Sequence, residues 1–197
     1  MPLLHLSRCP VCRVNASTVH GCCAACYREL FRPRLEGNTA SLGVYEGKLE
    51  RAVRAFKFHG AARLGILFGR ELAHLIAPTW TVDTVCAVPL HWRRLLSRGY
   101  NQSAVLARAM TSSLDKPYRP LLSRHRATRQ QARLSRKERL NNVAGAFRLR
   151  RSHVLAGQSV LLVDDVMTSG ATTEACVTVL RQAGARSVKV AVIARAN

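Results

Sequence analysis

Val160-Leu161-Leu162-Val163-Asp164-Asp165-Val166-Met167-Thr168-Ser169-Gly170-Ala171-Thr172-Thr173 is the stretch on which the fold is read. An apolar run ends in two adjacent acids, a short hydroxyl-rich turn with one glycine follows, and a helix pattern begins. The strand is expected over Ser159 to Val163 and the helix over Thr172 to Ala183, with Cys176, Val179, Leu180 and Ala183 inward and Gly184 as its stop. Ser187 to Ala194 reads as a further strand. Strand, helix, strand makes a βαβ unit, whose two strands lie parallel with a right-handed crossover. Strands apolar throughout belong to a sheet covered on both faces. The fold class is therefore α/β, a parallel sheet flanked by helices and doubly wound.

Working outward, Glu46 to Phe58 carries Leu49, Val53 and Phe56 at helical spacing, with Gly60 as its end. Leu64, Leu67, Phe68, Leu72, Leu75 and Ile76 mark a second helix, stopped by Pro78. Thr84 to Val88 reads as a buried strand, Asn101 to Ser112 as a helix, and Leu121-Leu122 as a short strand. A helix is expected over about Ser135 to Asn142. Phe31 to Gly37, interrupted by Pro and Gly, reads as a linker. It separates residues 1–34, which hold five of the seven cysteines, from a main domain over 35–197. Cys86 and Cys176 lie on apolar faces and read as inert core thiols.

The turn after Asp165 has a chemistry of its own. The first N–H groups of a helix lack partners within the helix, and the helix dipole adds partial positive charge there. An anion at this point gains roughly 0.3–1 kcal/mol from the dipole. Gly170 lets the backbone curl around a ligand, and Thr168, Ser169, Thr172 and Thr173 offer hydroxyl donors. Ionised carboxylates only accept hydrogen bonds, so Asp164 and Asp165 repel phosphate but suit the vicinal hydroxyls of a ribose. Acids on one side and donors on the other describe a sugar carrying a 5-phosphate. The alternative is an ordinary strand-to-helix turn with one Asp as a cap, but two acids exceed what a cap requires. A Walker-type loop is excluded because no Lys precedes its Ser or Thr.

In an open α/β sheet, ligands bind at the carboxyl ends of strands. Arg93, Arg94 and Arg98 follow the strand at Thr84 and can meet the same ligand, since guanidinium matches pyrophosphate bidentately. A solvated basic helix start is the competing reading, and Trp92 reads as a packing residue. Lys116 to Arg151 holds twelve Lys or Arg residues and a single acid, Glu138. Within it Arg124, Arg126, Arg129, Arg133, Arg136, Lys137 and Arg139 form a basic loop that closes over pyrophosphate, follows a nucleic-acid backbone, or is merely solvated.

Cys9-Pro10-Val11-Cys12 and Cys23-Ala24-Ala25-Cys26 are two C-x-x-C pairs. Cys9, Cys12, Cys23 and Cys26 supply the four soft ligands of a tetrahedral structural zinc, and metal binding provides folding energy that so short a segment lacks. Cys22 in place of Cys23 stays open, and His5 and His20 are weaker substitutes. Unliganded thiols or a redox pair are the alternatives.

The segment from Asp164 resembles the motif by which type I phosphoribosyltransferases bind 5-phosphoribosyl-1-pyrophosphate (PRPP). That resemblance implies that Asp164 and Asp165 hold the ribose 2- and 3-hydroxyls while Val166, Met167, Thr168, Ser169, Gly170, Ala171 and Thr172 cradle the 5-phosphate, with Mg2+ accompanying PRPP. More widely, the chain resembles the ComF competence family, also called GntX-like. The signals are Arg98 to Gln102; Thr128, Gln131 and Leu134; Arg139, Asn142, Val143 and Phe147; and Tyr45, Gly47, Phe56, Lys57, Phe58 and Gly60. The resemblance implies an N-terminal zinc module, a role in natural transformation or DNA utilisation, and partnership with a competence helicase and other DNA-processing proteins.

Charge points the same way. Lys and Arg number 31 against 11 Asp and Glu, a net +20, which attracts polyanions. By charge alone nucleic acid, nucleotides and anionic lipid are the candidate partners; the resemblance implies single-stranded DNA, with weak sequence preference because aromatic residues are few. An active phosphoribosyltransferase acting on a nucleobase or similar amine is the alternative, and a PRPP-sensing regulator a third reading that no helix-turn-helix pattern supports. No apolar run reaches membrane-span length and the start lacks a signal-peptide core, so a cytoplasmic location is expected.

Overall fold

The computed structural model describes residues 6–19, 21–58, 61–126, 143, 145–150 and 155–196. The expected helix over 135–142, the Gly60 stop, Arg129, Arg133, Arg136, Lys137, Arg139, His5 and His20 lie outside the described residues.

Five strands form the main sheet: β4 (Arg34–Glu36), β5 (Thr39–Ser41), β6 (Thr84–Ala87), β9 (Ser159–Met167) and β10 (Ser187–Arg195), in the order β4-β5-β10-β9-β6. All neighbours are parallel except the β4–β5 edge. Parallel strands need crossovers, and helices supply them on both faces. One face carries α2 (Gly47–Phe58), α3 (Ala62–Ile76) and α5 (Gln102–Leu114), whose Phe56, Phe68 and Leu106 pack with Leu161 and Val163 of β9. The other carries α6 (Ala171–Gln182), whose Cys176 and Leu180 pack with Val160 and Leu162. The alternation of Val160, Leu161, Leu162 and Val163 between two cores is the reason all four are apolar.

Helix α3 meets α5 closely because α3 presents glycines. A Cβ on Gly69 would stand 2.5 Å from the Ala109 Cβ and 2.9 Å from the Leu106 carbonyl oxygen. A short antiparallel pair, β7 (Leu122–Arg124) and β8 (Phe147–Leu149), lies beside the second core, and α4 (Trp92–Arg98) follows β6. The N-terminal part has β1 (Leu6–Arg8), β2 (Asn15–Val19), β3 (Cys22–Cys23) and α1 (Ala24–Leu30). Its Cys9, Val11, Cys26 and Leu30 join the same apolar cluster as Leu64 and Phe68.

Three expectations change. The segment read as a linker, Phe31 to Gly37, contains β4 at the sheet edge, held by strand pairing and by an Arg195–Glu36 ion pair of 2.6 Å. Its Pro and Gly lie on either side of that strand rather than breaking the chain into a connector. Strand β9 continues four residues past Val163 because β10 keeps pairing with it as far as Met167. Within α6, Cys176 and Leu180 are buried as expected, whereas Val179 and Ala183 are only partly covered. Among the described residues, no helix is long and apolar enough to cross a membrane.

Candidate functional site

Unequal pairing on the two sides of β9 opens the site. Its β10 side stays paired through Val192–Asp164 and Arg195–Met167, while its β6 side ends at Ala87–Val163, after one last Val88 N–H donation to the Val163 carbonyl at 2.9 Å. Asp164 is the first residue beyond that departure. Asn101 fixes the diverging chain: its Nδ2 donates to the Val88 carbonyl at 3.0 Å, and its Oδ1 caps α5 by accepting from the Ser103 N–H at 3.1 Å. Ser103 then donates its hydroxyl to Asp164 Oδ1 at 2.9 Å, an oxygen that also accepts from the Asp165 N–H at 2.9 Å.

Asp165 takes a different partner. Lys57, in the last turn of α2, places Nζ 3.0 Å from Asp165 Oδ2, with both side chains largely covered. The two carboxyl groups therefore differ in chemistry. Burial, and then repulsion from Asp165, push the Asp164 carboxyl up to about 7 against the lowering influence of the Asp165 N–H, Ser103 and Lys57. Asp164 thus takes up a proton near neutrality, while Asp165 has a cation in contact.

Both carboxylates border a cavity of about 280 Å³, whose other walls include Tyr45, Lys57, Arg98, Ser103 and Arg124. Arg98 is braced by Gln102 Oε1 at 3.3 Å and lies 5.0 Å from the Phe58 ring centroid. Arg124, at the end of β7, lies 5.3 Å from the Phe147 ring centroid. Next to the larger cavity, Val166, Met167, Thr168, Gly170 and Thr172 surround a small recess of about 20 Å³, the size of a water or one phosphate oxygen. Gly170 forms its far corner at φ +76°, the left-handed conformation that glycine adopts without strain, and it begins α6. Ser169 Oγ lies 3.5 Å from the Ala171 N–H, and Ala171 is buried.

Some sequence-predicted residues are placed differently. Thr173 also lines the recess, but it is largely buried and its hydroxyl donates to the Gly170 carbonyl at 2.8 Å, tying the turn to the helix. Arg93 does not border the cavity; its guanidinium lies 5.3 Å from the Trp92 ring centroid. Trp92 is not a packing residue, since it is 56 % exposed at the start of α4. Arg126 is exposed, and the Arg94 side chain lies outside what is described. Sequence reasoning gave no site role to Tyr45, Lys57 or Ser103. A lysine between Phe56 and Phe58 was a signal for Lys57; Ser103 had none, because only the packing of α5 against β9 brings it to Asp164.

At the N-terminus, Cys9, Cys12, Cys23 and Cys26 place their sulfur atoms within 4.8 Å of one another and could hold a metal ion. Cys12 Sγ and Cys23 Sγ are 3.7 Å apart, matching the edge of about 3.8 Å expected for a tetrahedron with 2.3 Å zinc–sulfur bonds. The Cys23 N–H points at Cys9 Sγ from 3.4 Å. Burial opposes a thiolate at Cys9, but N–H groups of Cys12, Cys23 and Val11 outweigh it and hold the thiol down at about 6. Cys22 is buried outside the four-sulfur cluster, with its thiol pushed up to about 11 by burial and by the neighbouring cysteines. Of the two adjacent cysteines, Cys23 is the one whose sulfur joins the cluster, since consecutive side chains along β3 point to opposite sides.

Residues 100–197 match the phosphoribosyl transferase domain. The chain is 30 % identical over 189 residues to DNA utilization protein YhgH of Escherichia coli K12, covering 92 % of this chain and 81 % of that protein. It is 35 % identical over 116 residues to Competence protein F of Haemophilus influenzae, covering 58 % of this chain and 51 % of that protein. Among solved structures, glutamine PRPP amidotransferase from B. subtilis, complexed with ADP and GMP, is similar at 21 % identity and a TM-score of 0.47, covering 71 % of this chain and 30 % of that one.

Proposed function

Since this chain belongs to the ComF/GntX-like competence family, with a phosphoribosyltransferase fold, we propose that it binds PRPP at Asp164 and Asp165 and single-stranded DNA on a basic surface. The observation that carries the PRPP reading is the pair of carboxylates between a three-cation wall and a glycine turn at a helix start. The ribose hydroxyls donate to Asp164 and Asp165. The 5-phosphate sits along Val166 to Thr172, where the N-terminal end of α6 favours an anion. The pyrophosphate faces Arg98, Arg124 and Lys57, whose charges offset its own. Hard oxygen donors suit Mg2+ carried in by PRPP, which commonly binds through one or two carboxylates and substrate phosphates.

Residues 1–34 act as a structural zinc module and 35–197 as the PRPP-binding domain. The protein acts in the cytoplasm beside a competence helicase and other DNA-processing proteins. The net charge of +20 supports DNA binding, because phosphate contacts dominate nucleic-acid affinity. Titration calorimetry with Mg-PRPP tests the central reading: joint replacement Asp164→Ala and Asp165→Ala abolishes binding, and an unchanged affinity refutes the assignment. Pyrophosphate release from PRPP with a panel of nucleobases separates a binding protein from an active transferase, since a pocket that binds PRPP does not by itself establish turnover.

A further inference from the structure

We propose that single-stranded nucleic acid lies in the groove between α4 and the β7–β8 pair, with one base stacked on Trp92 and phosphates on Arg124 and Arg150. The inference rests on the DNA-binding reading above and assigns it a place. The groove measures about 280 Å³ and runs from Trp92 and Leu95 on one wall to Tyr118, Arg124 and Arg150 on the other. No carboxylate is among the described residues that line it. A cleft with two arginines and no acid favours a polyanion over a protein surface of mixed charge.

Its apolar residues are unusually open. Trp92 is 56 % and Leu95 42 % exposed on one seven-residue helix. The Arg93 guanidinium lies 5.3 Å from the Trp92 ring centroid, and the Arg108 guanidinium lies 4.7 Å from that of Tyr118. An aromatic face supplemented by guanidinium groups accepts any base, provided that base is free of its own neighbours. Bases in a duplex are already stacked and paired, so the occupant is single-stranded. Phosphates of the same strand reach Arg124 and Arg150 across the groove. Arg124, Pro89 and Leu90 also border the cavity at Asp164, so the strand passes directly beside the proposed PRPP pocket.

The chain has two tryptophans, and Trp80 is only 7 % exposed. In the full-length Trp80→Phe protein, emission therefore reports Trp92 alone. Titration with an oligothymidylate of about 12 nucleotides is expected to quench that emission. Trp92→Ala is expected to weaken the affinity, measured by anisotropy of labelled oligomer, roughly 5- to 150-fold at an unchanged thermal midpoint. Trp92→Phe, which keeps a ring, recovers part of the loss. If the oligomer binds in a salt-dependent way yet leaves Trp92 emission and Trp92→Ala affinity unchanged, the groove is refuted while the DNA reading stands. If wild-type protein binds no oligomer, both fall. If thymidine monophosphate quenches Trp92 as tightly as the oligomer does, the groove is a small-molecule pocket and the proposal is overturned.

Discussion

Replacing Asp164 by Asn should stabilise the ligand-free protein while removing its ligand. Asn keeps an oxygen where Oδ1 accepts from Ser103 and from the Asp165 N–H, and it removes the negative charge beside Asp165. The Asp164 carboxyl is raised from 3.8 to about 7, chiefly by burial. A carboxyl raised in this way favours folding only while protonated: the contribution is full below about 3.8 and lost as pH rises through about 7. Above that range the folded state carries a charge it disfavours. Each pKa unit corresponds to about 1.4 kcal/mol, so at pH 8.5 the charge costs at most about 4 kcal/mol. Some of that is recovered as Lys57 and water adjust, which leaves roughly 2–4 kcal/mol to be gained by Asn. For a chain of this size, 1 kcal/mol moves the midpoint by about 2–4 °C. Thermal melts of Asp164→Asn at pH 8.5 should therefore lie roughly 5–10 °C above wild type. The gap should narrow toward pH 5.5, where the wild-type carboxyl is itself protonated. Mg-PRPP affinity of the variant should fall steeply at both pH values. A variant no more stable than wild type at pH 8.5, or a gap independent of pH, would refute the reasoning.

Wild-type PRPP affinity, measured by calorimetry at constant ionic strength, should decline as pH falls below about 7, because a protonated Asp164 accepts ribose hydroxyls less well. Cys23→Ser should lower zinc, measured by metal analysis of the purified protein, well below one ion per chain, whereas Cys22→Ser should leave it unchanged. Equal loss in both variants would remove the ligand assignment. Gly69→Ala should destabilise by roughly 1–2 kcal/mol in denaturant melts, since overpacking against the Ala109 Cβ and the Leu106 carbonyl outweighs the better helix propensity of Ala. A neutral or stabilising result would mean that α3 and α5 separate freely.

The sequence by itself determined the βαβ core, the acid pair and the glycine turn. Each is written in consecutive residues, because strand and helix periodicity, helix termini and left-handed turns are local properties of the chain. The same holds for α2, α3 and α5, whose apolar faces recur within a few residues, and for the two C-x-x-C pairs. Pairings between distant segments were not legible. Nothing in Phe31 to Gly37 announces that Arg34–Glu36 will close the edge of the main sheet, because that strand exists only against β5. Strand β9 outruns its apolar stretch because β10 continues to pair with it, which carries Asp164 and Asp165 inside the strand rather than past its end. Tertiary structure alone decided which polar groups meet. Ser103 reaches Asp164 from 61 residues away, Lys57 reaches Asp165 across the face formed by α2, and Trp92 turns outward over a groove instead of into a core. Those contacts set how readily Asp164 carries its charge. Burial and a neighbouring charge shift a pKa, and both are properties of the folded surroundings rather than of the residue.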